Sequence, residues 1–188
     1  MTVHPLADLS VLDRYAAAPF PPGYPPDRRR FFSPIDNVHG ALVAVISAAQ
    51  RSLFIAMYGY DDDELAAVVR KLEDKNVAVQ LTLDSSQAGG VHERALLAKE
   101  NYPASTIAIG RSERGAIIHL KMAVVDGVIV VDGSTNWSTG GESKQDNSLL
   151  ISLTATEAAV VTSRLTALHA YVQQQQRRKA GGDGSPSA

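Results

Sequence analysis

The order of apolar and polar positions divides the chain into short segments of two periods. Residues 30–34 (RFFSP) alternate as a short strand, and residues 37–50 place Val38, Leu42, Val45, Ile46 and Ala49 at helical spacing. Residues 52–60 (SLFIAMYGY) form an apolar, strand-favouring run. The following DDDELAAVVRKLEDK opens on aspartates suited to a helix cap and first turn, then marks a buried stripe with Leu65, Val68, Val69 and Leu72. Residues 76–84 (NVAVQLTLD) alternate again as a strand. This strand–helix rhythm predicts an α/β domain with a mixed, largely parallel central β-sheet flanked by helices on both faces.

Downstream, the pattern predicts a loop at 85–90, a helix at 91–101, a strand at 105–110 and a loop at 111–115. An apolar run at 116–125 follows, residues 147–153 (NSLLISL) read as a last strand, and residues 156–176 as a long helix with Ala159, Val160, Leu165, Leu168 and Val172 facing inward. Pro5, Pro19, Pro21, Pro22, Pro25 and Pro26 make residues 1–30 an extended arm, expected to lie loosely on the surface and ending in Arg28, Arg29 and Arg30. Residues 177–188 are expected to be a disordered tail, which leaves 31–176 as the folded domain.

With 188 residues, 45% of them hydrophobic and 20% charged, the chain suits one domain with its own core. The absence of cysteine excludes disulfide frameworks, thiolate metal sites and thiol catalysis. A net charge of −2 gives no global field for nucleic acid, so any such contact falls to local clusters. Neither a secretory leader pattern nor a long uninterrupted apolar run is present, and the expectation is a cytoplasmic protein without stable membrane association.

One feature of the pattern is anomalous. The apolar run at 116–125 contains His119 and Lys121, two positions apart, which in an extended chain share a face with Ala123 and Val125. Burying a lone lysine beside a histidine has a high desolvation cost, so the pair points to chemistry rather than packing. Beyond it the sequence runs four residues to Asp126 and six more to Gly133-Ser134-Thr135-Asn136. This resembles the H-x-K-x4-D-x6-G-S-x-N signature of the phospholipase D superfamily, and every signature position is filled. The similarity extends over residues 31–172, and a single motif copy resembles the bacterial single-motif endonuclease branch, whose members are homodimers.

The resemblance implies a phosphodiesterase in which His119 attacks phosphorus and forms a covalent phosphohistidine. A second His119, from a partner copy, then serves as general acid and afterwards as base for water, which places one composite site on a twofold axis. Lys121 and Asn136 would stabilise the phosphoryl oxygens, with Ser134 as a further donor and Asp126 as a structural partner. Because two lysines and two asparagines supply the charge stabilisation, no metal or cofactor is called for. The endonuclease branch commonly carries a carboxylate eleven residues past the motif Asn; here that position is Asn147, with Glu142 and Asp146 as nearby substitutes. Arg111, Arg114 and Lys144 flank the expected mouth as phosphate contacts, and Trp137 is placed either to stack on a base or to pack beneath the motif. His92-Glu93 lacks the second histidine of a zinc-protease helix and reads as surface, and His4, His39 and His169 show no partner spacing. The reading is therefore a nuclease acting on nucleic acid, DNA foremost and RNA as the other substrate. Its alternatives are a phospholipid hydrolase or transphosphatidylase, which would require an apolar mouth where the flanking loops read as polar and basic, and a weakly active nucleic-acid-binding dimer.

Overall fold

The computed structural model describes residues 4–182. The segments run β1 (Arg28–Ser33), α1 (Val38–Ser47), β2 (Ser52–Met57), α2 (Asp63–Asp74), β3 (Ala78–Asp84), α3 (Ser85–Ala88), α4 (Val91–Glu100), β4 (Ile107–Gly110), β5 (Lys121–Val125), β6 (Ile129–Gly133), α5 (Thr139–Ser143), β7 (Asn147–Leu153) and α6 (Ala155–Gly182). Local chemistry sets their starts: the Asn37 side chain accepts from Gly40 N, and that of Asp62 accepts from Leu65 N, as N-caps do.

All seven strands form one sheet in the order β1-β7-β6-β5-β2-β3-β4. It is mixed, as the segment rhythm predicts, but its balance is reversed: β2 with β3 and β3 with β4 are parallel, and the remaining four pairs are antiparallel. The reason lies in the connections. Among sheet neighbours, only β2 with β3 and β3 with β4 are joined through crossover helices, whereas β5 turns straight into β6 through Asp126 and Gly127, both at positive φ (54° and 69°).

Side-chain alternation divides the core between the two faces. Leu53, Ile55, Met57, Leu81, Leu83, Ala123 and Val125 pack beneath α1, α2 and α4. On the other face Ala56, Val124, Val130 and Ala108 meet α6 through Leu165, Leu168 and Val172. The inward stripe of α6 starts at Ala158 rather than at Ala159 and Val160; Val160 is 69% exposed. Residues 158, 165 and 172 share one side of a 3.6-residue helix, and 159 and 160 turn away from it.

Three further expectations are corrected. The N-terminal segment is not a loose arm: Leu6, Leu9 and Leu12 are buried in the main core, with Leu9–Tyr15 forming a 3-10 helix capped by Asp8. Leucines at spacing three fit such a turn, and the proline count obscured them. The 85–90 segment contains the short α3 instead of loop alone. Helix α6 continues through residues 177–182, its polar Gln and Arg run being helix-compatible, so the disordered tail is corrected there; residues 183–188 lie outside the described residues.

Candidate active site

The site forms where β2 and β5 end side by side. Lys121 opens β5 opposite Met57, and Tyr58 N donates to Leu120 O at 3.0 Å. The ladder thus begins at Lys121; residues 116–120, expected within the strand, lie before it. His119 consequently escapes the strand alternation and is exposed, while Lys121 is 7% exposed. The two do not present equal heads to one surface.

Tyr58 joins them. Its ring meets the His119 imidazole edge-on at 4.7 Å between centroids, and the Lys121 ammonium sits 4.8 Å from the same ring centroid. The Lys121 Nζ also donates to His119 O at 2.9 Å, and burial lowers its pKa from the ordinary lysine value. The Tyr58 hydroxyl is fixed by Gln87 Nε2 at 3.0 Å. The aromatic face and the carbonyl both favour the charged ammonium and so oppose that effect of burial.

The adjoining residue reaches the other half of the motif. Gly59 N donates to Asn136 Oδ1 at 3.2 Å, and Gly59 O accepts from Trp137 N at 3.0 Å. A Cβ at position 59 would stand 3.2 Å from Asn136 Cγ, so the close approach depends on glycine. With its oxygen turned to Gly59, the Asn136 amide directs its N–H donors the other way. One dipeptide, Tyr58-Gly59, therefore brings His119, Lys121 and Asn136 together.

The other expected residues separate. Ser134 Oγ donates to Asn147 Oδ1 at 2.8 Å and accepts from Ser148 N at 3.0 Å, while Asn147 Nδ2 donates to Gly141 O at 3.1 Å. Asn147 thus directs its oxygen to Ser134, and in the single chain neither residue touches the His119 imidazole. Trp137 is 1% exposed and tilted against Tyr60 at 6.0 Å, so its ring packs beneath the motif and is closed to base stacking. Glu142 is buried against His39, and Asp146 is exposed. Asp126 accepts from the backbone N–H groups of Gln50, Arg51 and Ser52 and pairs with His4. Arg111 lies 3.8 Å from Asp84, whose Oδ2 accepts from Ile118 N at 2.7 Å. Burial raises the Asp84 pKa, but bonds from Ser86 and Ile118 outweigh it and hold the group below its ordinary value. Arg114 and Lys144 are exposed.

Beside His119 runs a groove of about 500 Å³, walled by Ile117, Leu120 and Met122 on one side and by Val160, Val161 and Arg164 on the other. The flank was expected to be polar and basic; along this groove it is mainly apolar, with Val160 of α6 and Ile117 opposite both exposed, and Arg164 is the basic side chain on its wall. The helical spacing assigns Val160 to the inward stripe of α6, whereas it faces the groove, so the pattern alone hides this apolar wall.

Sequence reasoning also missed residues that act across long separations. Tyr58 and Gly59 carry no motif, and only their position at the end of an apolar strand marked them. Glu93 is buried and accepts from Tyr60 N, and burial raises its pKa to about 7. Histidines without local spacing found distant partners: His4 with Asp126, His39 with Glu142 and Glu64, and His169 with Thr82.

A mixed seven-stranded sheet that brings a His-x-Lys segment against a Gly-Ser-x-Asn loop defines the phospholipase D class of α/β protein. The family profile described as "Cardiolipin synthase, PLD-like domain" matches residues 42–168, and the chain belongs to this PLD-like family. It is 29% identical over 93 residues to the mitochondrial cardiolipin hydrolase of Chlamydomonas reinhardtii, covering 50% of this chain and 40% of that protein. With the protein of the same name from Xenopus tropicalis it shares 27% identity over 123 residues, 62% of this chain and 53% of the relative. The chain thus spans about half the length of the curated relatives it matches. In fold it is similar to Nuc, a phospholipase D family member from Salmonella typhimurium, with a TM-score of 0.66 at 18% identity over 75% of this chain and 92% of the other. NucT from Helicobacter pylori matches with a TM-score of 0.66 at 21% identity, over 75% and 94%. Among the described residues no helix is long and apolar enough to cross a membrane.

Proposed function

We propose that the protein hydrolyses phosphodiester bonds through a covalent phosphohistidine on His119, in a site completed by a second copy of the chain, with nucleic acid as substrate. The observation that carries this reading is the exposed His119 imidazole set on Tyr58, with the Lys121 ammonium against the same ring. His119 attacks phosphorus; the leaving oxygen takes a proton from a second imidazole, and water then cleaves the P–N bond with that imidazole as base. Lys121 and the outward N–H groups of Asn136 meet the charge on the non-bridging oxygens.

The accounting of histidines supports a second chain. His4 is tied to Asp126, His39 to two carboxylates and His169 to Thr82 in the interior, while His92 lines a separate hollow with Asp61 and Asp63. No other imidazole of the same chain accompanies His119, so the proton donor comes from the partner copy. Charge stabilisation resides in side chains, and no step of this scheme uses a metal.

The test incubates the purified chain and His119→Ala with single- and double-stranded DNA and RNA in excess EDTA. Metal-free cleavage that disappears in the variant, with acid-labile phosphate trapped on the wild-type chain and a dimeric mass by sedimentation, is the expected result. Cleavage surviving in His119→Ala would overturn the mechanism. A second reading, hydrolysis of a phospholipid phosphodiester, is favoured by the apolar groove next to His119 and by the names of the curated relatives. Vesicles containing anionic phospholipid, run beside the nucleic acids, separate the two: turnover of lipid alone makes the lipid reading the correct one.

A further inference from the structure

Beside the backbone of Trp137, whose carbonyl accepts from Asp62 N, three elements bring a histidine and two carboxylates to one point. His39 comes from the first turn of α1, Asp62 from the cap of α2, and Glu142 from α5. The His39 Nδ1 lies 2.6 Å from Glu142 Oε2 and 3.3 Å from Asp62 Oδ2, and the ligating atoms of the three residues all fall within 4.8 Å of one another. Ligands at about 2.0–2.1 Å from a tetrahedral ion stand about 3.3 Å apart, so these separations match a common ion after small adjustment.

The second nitrogen of His39 decides what the first can do. Nε2 lies 2.9 Å from Glu64 Oε2, so it carries a proton and donates it to that carboxylate. With both carboxylates ionised, Nδ1 of the neutral ring is then a lone pair aimed at two carboxylate oxygens, a repulsive arrangement unless a positive species lies between them. A proton held between Nδ1 and Glu142 Oε2, on either atom, satisfies that pair and leaves Asp62 Oδ2 and Glu142 Oε1 without one. An ion at the centre satisfies Nδ1, Asp62 and Glu142 together, and the Glu64–His39 bond becomes the outer carboxylate that fixes the tautomer of metal-bound imidazoles. A separate observation points the same way: Glu142 is 2% exposed, yet its second oxygen, Oε1, has no hydrogen-bond partner among the described residues. A buried carboxylate oxygen without a donor is costly, and bidentate coordination provides for it.

We propose that His39, Asp62 and Glu142 bind one divalent transition ion of the zinc type, with Glu64 as the outer ligand to His39. The mixed nitrogen and oxygen set without sulfur favours a borderline ion over calcium or magnesium, which take oxygen alone. The ion is structural and stands outside the phosphodiester chemistry. It clamps α5 to the start of α2, next to the bonds from Asp61 N and Asp62 N to Trp137 O. Gly141 of α5 packs so closely on the Asn136 backbone that a Cβ there would lie 2.6 Å from Asn136 O, so the clamp fixes the loop that carries Asn136.

The experiment titrates ZnCl2 into the tag-free, EDTA-dialysed chain by calorimetry and follows thermal unfolding in parallel, with no substrate present. One equivalent of Zn2+ per chain is expected, with a rise in melting temperature of about 5–10 °C at a hundredfold excess over Kd. Glu142→Gln and His39→Ala lose both the uptake and the rise. Asp62→Asn keeps the helix cap to Leu65 and serves as the variant that folds if the others do not; it too loses at least tenfold in affinity. His92→Ala, outside the cluster, binds as wild type. Absence of stoichiometric uptake, or uptake of unchanged affinity in His39→Ala or Asp62→Asn, overturns the proposal.

Discussion

Asp126 belongs to the signature, yet its carboxylate faces away from the imidazole, and replacing it by Asn separates a structural role from a chemical one. Oδ1 accepts from Arg51 N at 2.7 Å and Ser52 N at 2.8 Å; Oδ2 accepts from Gln50 N at 2.9 Å and meets His4 Nε2 at 3.0 Å. Because His4 Nδ1 accepts from Leu6 N, Nε2 is the protonated nitrogen and a fourth donor. Asparagine tolerates the positive φ of 54° at this position and retains an oxygen for two of the donors. Its NH2 then confronts the other two. Losing a charge-assisted bond removes about 1.5–3 kcal/mol, and a stranded buried donor costs about 1–3 kcal/mol. The expected destabilisation is about 3 kcal/mol, or about 6–12 °C in melting temperature for a chain of this size.

Urea unfolding at pH 7 and calorimetry measure that loss, and turnover per folded molecule should stay within about threefold of wild type. The acid limb supplies a second check. Burial pushes the Asp126 pKa up, but the Ser52, Arg51 and Gln50 N–H groups and His4 outweigh it, and the folded value lies below the ordinary one. A lowered folded pKa gives stability that is complete above the unfolded value of about 3.9 and is lost as pH falls through the folded value. The gap between wild type and Asp126→Asn therefore narrows only in acid. Unchanged melting combined with a hundredfold loss of turnover would place Asp126 in the reaction and refute the reasoning.

Gly59→Ala should press its methyl on Asn136 and lower kcat about 10–100-fold with little change in melting temperature, read by steady-state kinetics beside calorimetry. Leu12→Ala should cost about 2–5 kcal/mol in urea unfolding, because the side chain is fully buried; a segment merely resting on the surface would give a change near zero. Arg164→Ala should raise the Glu113 pKa from about 2 toward about 4.3, seen by carboxyl NMR. The Arg164 side-chain bond is the main cause of that depression, so the stabilisation it gives is present above about pH 4.3 and fades as pH falls toward 2. Both side chains are substantially exposed, and the stability change at neutral pH should stay under about 1 kcal/mol.

Elements with strong local period were legible before any coordinates: α1, α2, β3 and β7 lie within a few residues of their predicted bounds, because caps and alternation are local properties. The sense of strand pairing was not, since the pattern of β5 is the same whether its neighbour β2 runs with it or against it. The motif placed His119, Lys121 and Asn136 near one another, but the surface that unites them, Tyr58-Gly59, has no spacing to announce it. The bond between Ser134 and Asn147 is not legible in the pattern either, because it is made between the end of β6 and the start of β7, across a loop whose path the sequence does not specify. His39 illustrates the limit most clearly: Asp62 and Glu142 reach it from different elements, and only the fold makes neighbours of them.

The position of β1 bears on how the chain is assembled during synthesis. Among the described residues its sole neighbour in the sheet is β7, with Arg28 opposite Ser152 and Ser33 opposite Asn147, so β1, made before the other strands of this sheet, is among the last to be hydrogen-bonded. Loop closure of this length is slow relative to helix and hairpin formation. The buried leucines near the N-terminus give the waiting strand a local berth, since Asn37 N already bonds Tyr15 O at the entrance to α1. A ribosome stalled before residue 147 would hold a chain with β6 as an open sheet edge, the state in which edge-to-edge aggregation competes with completion of the sheet.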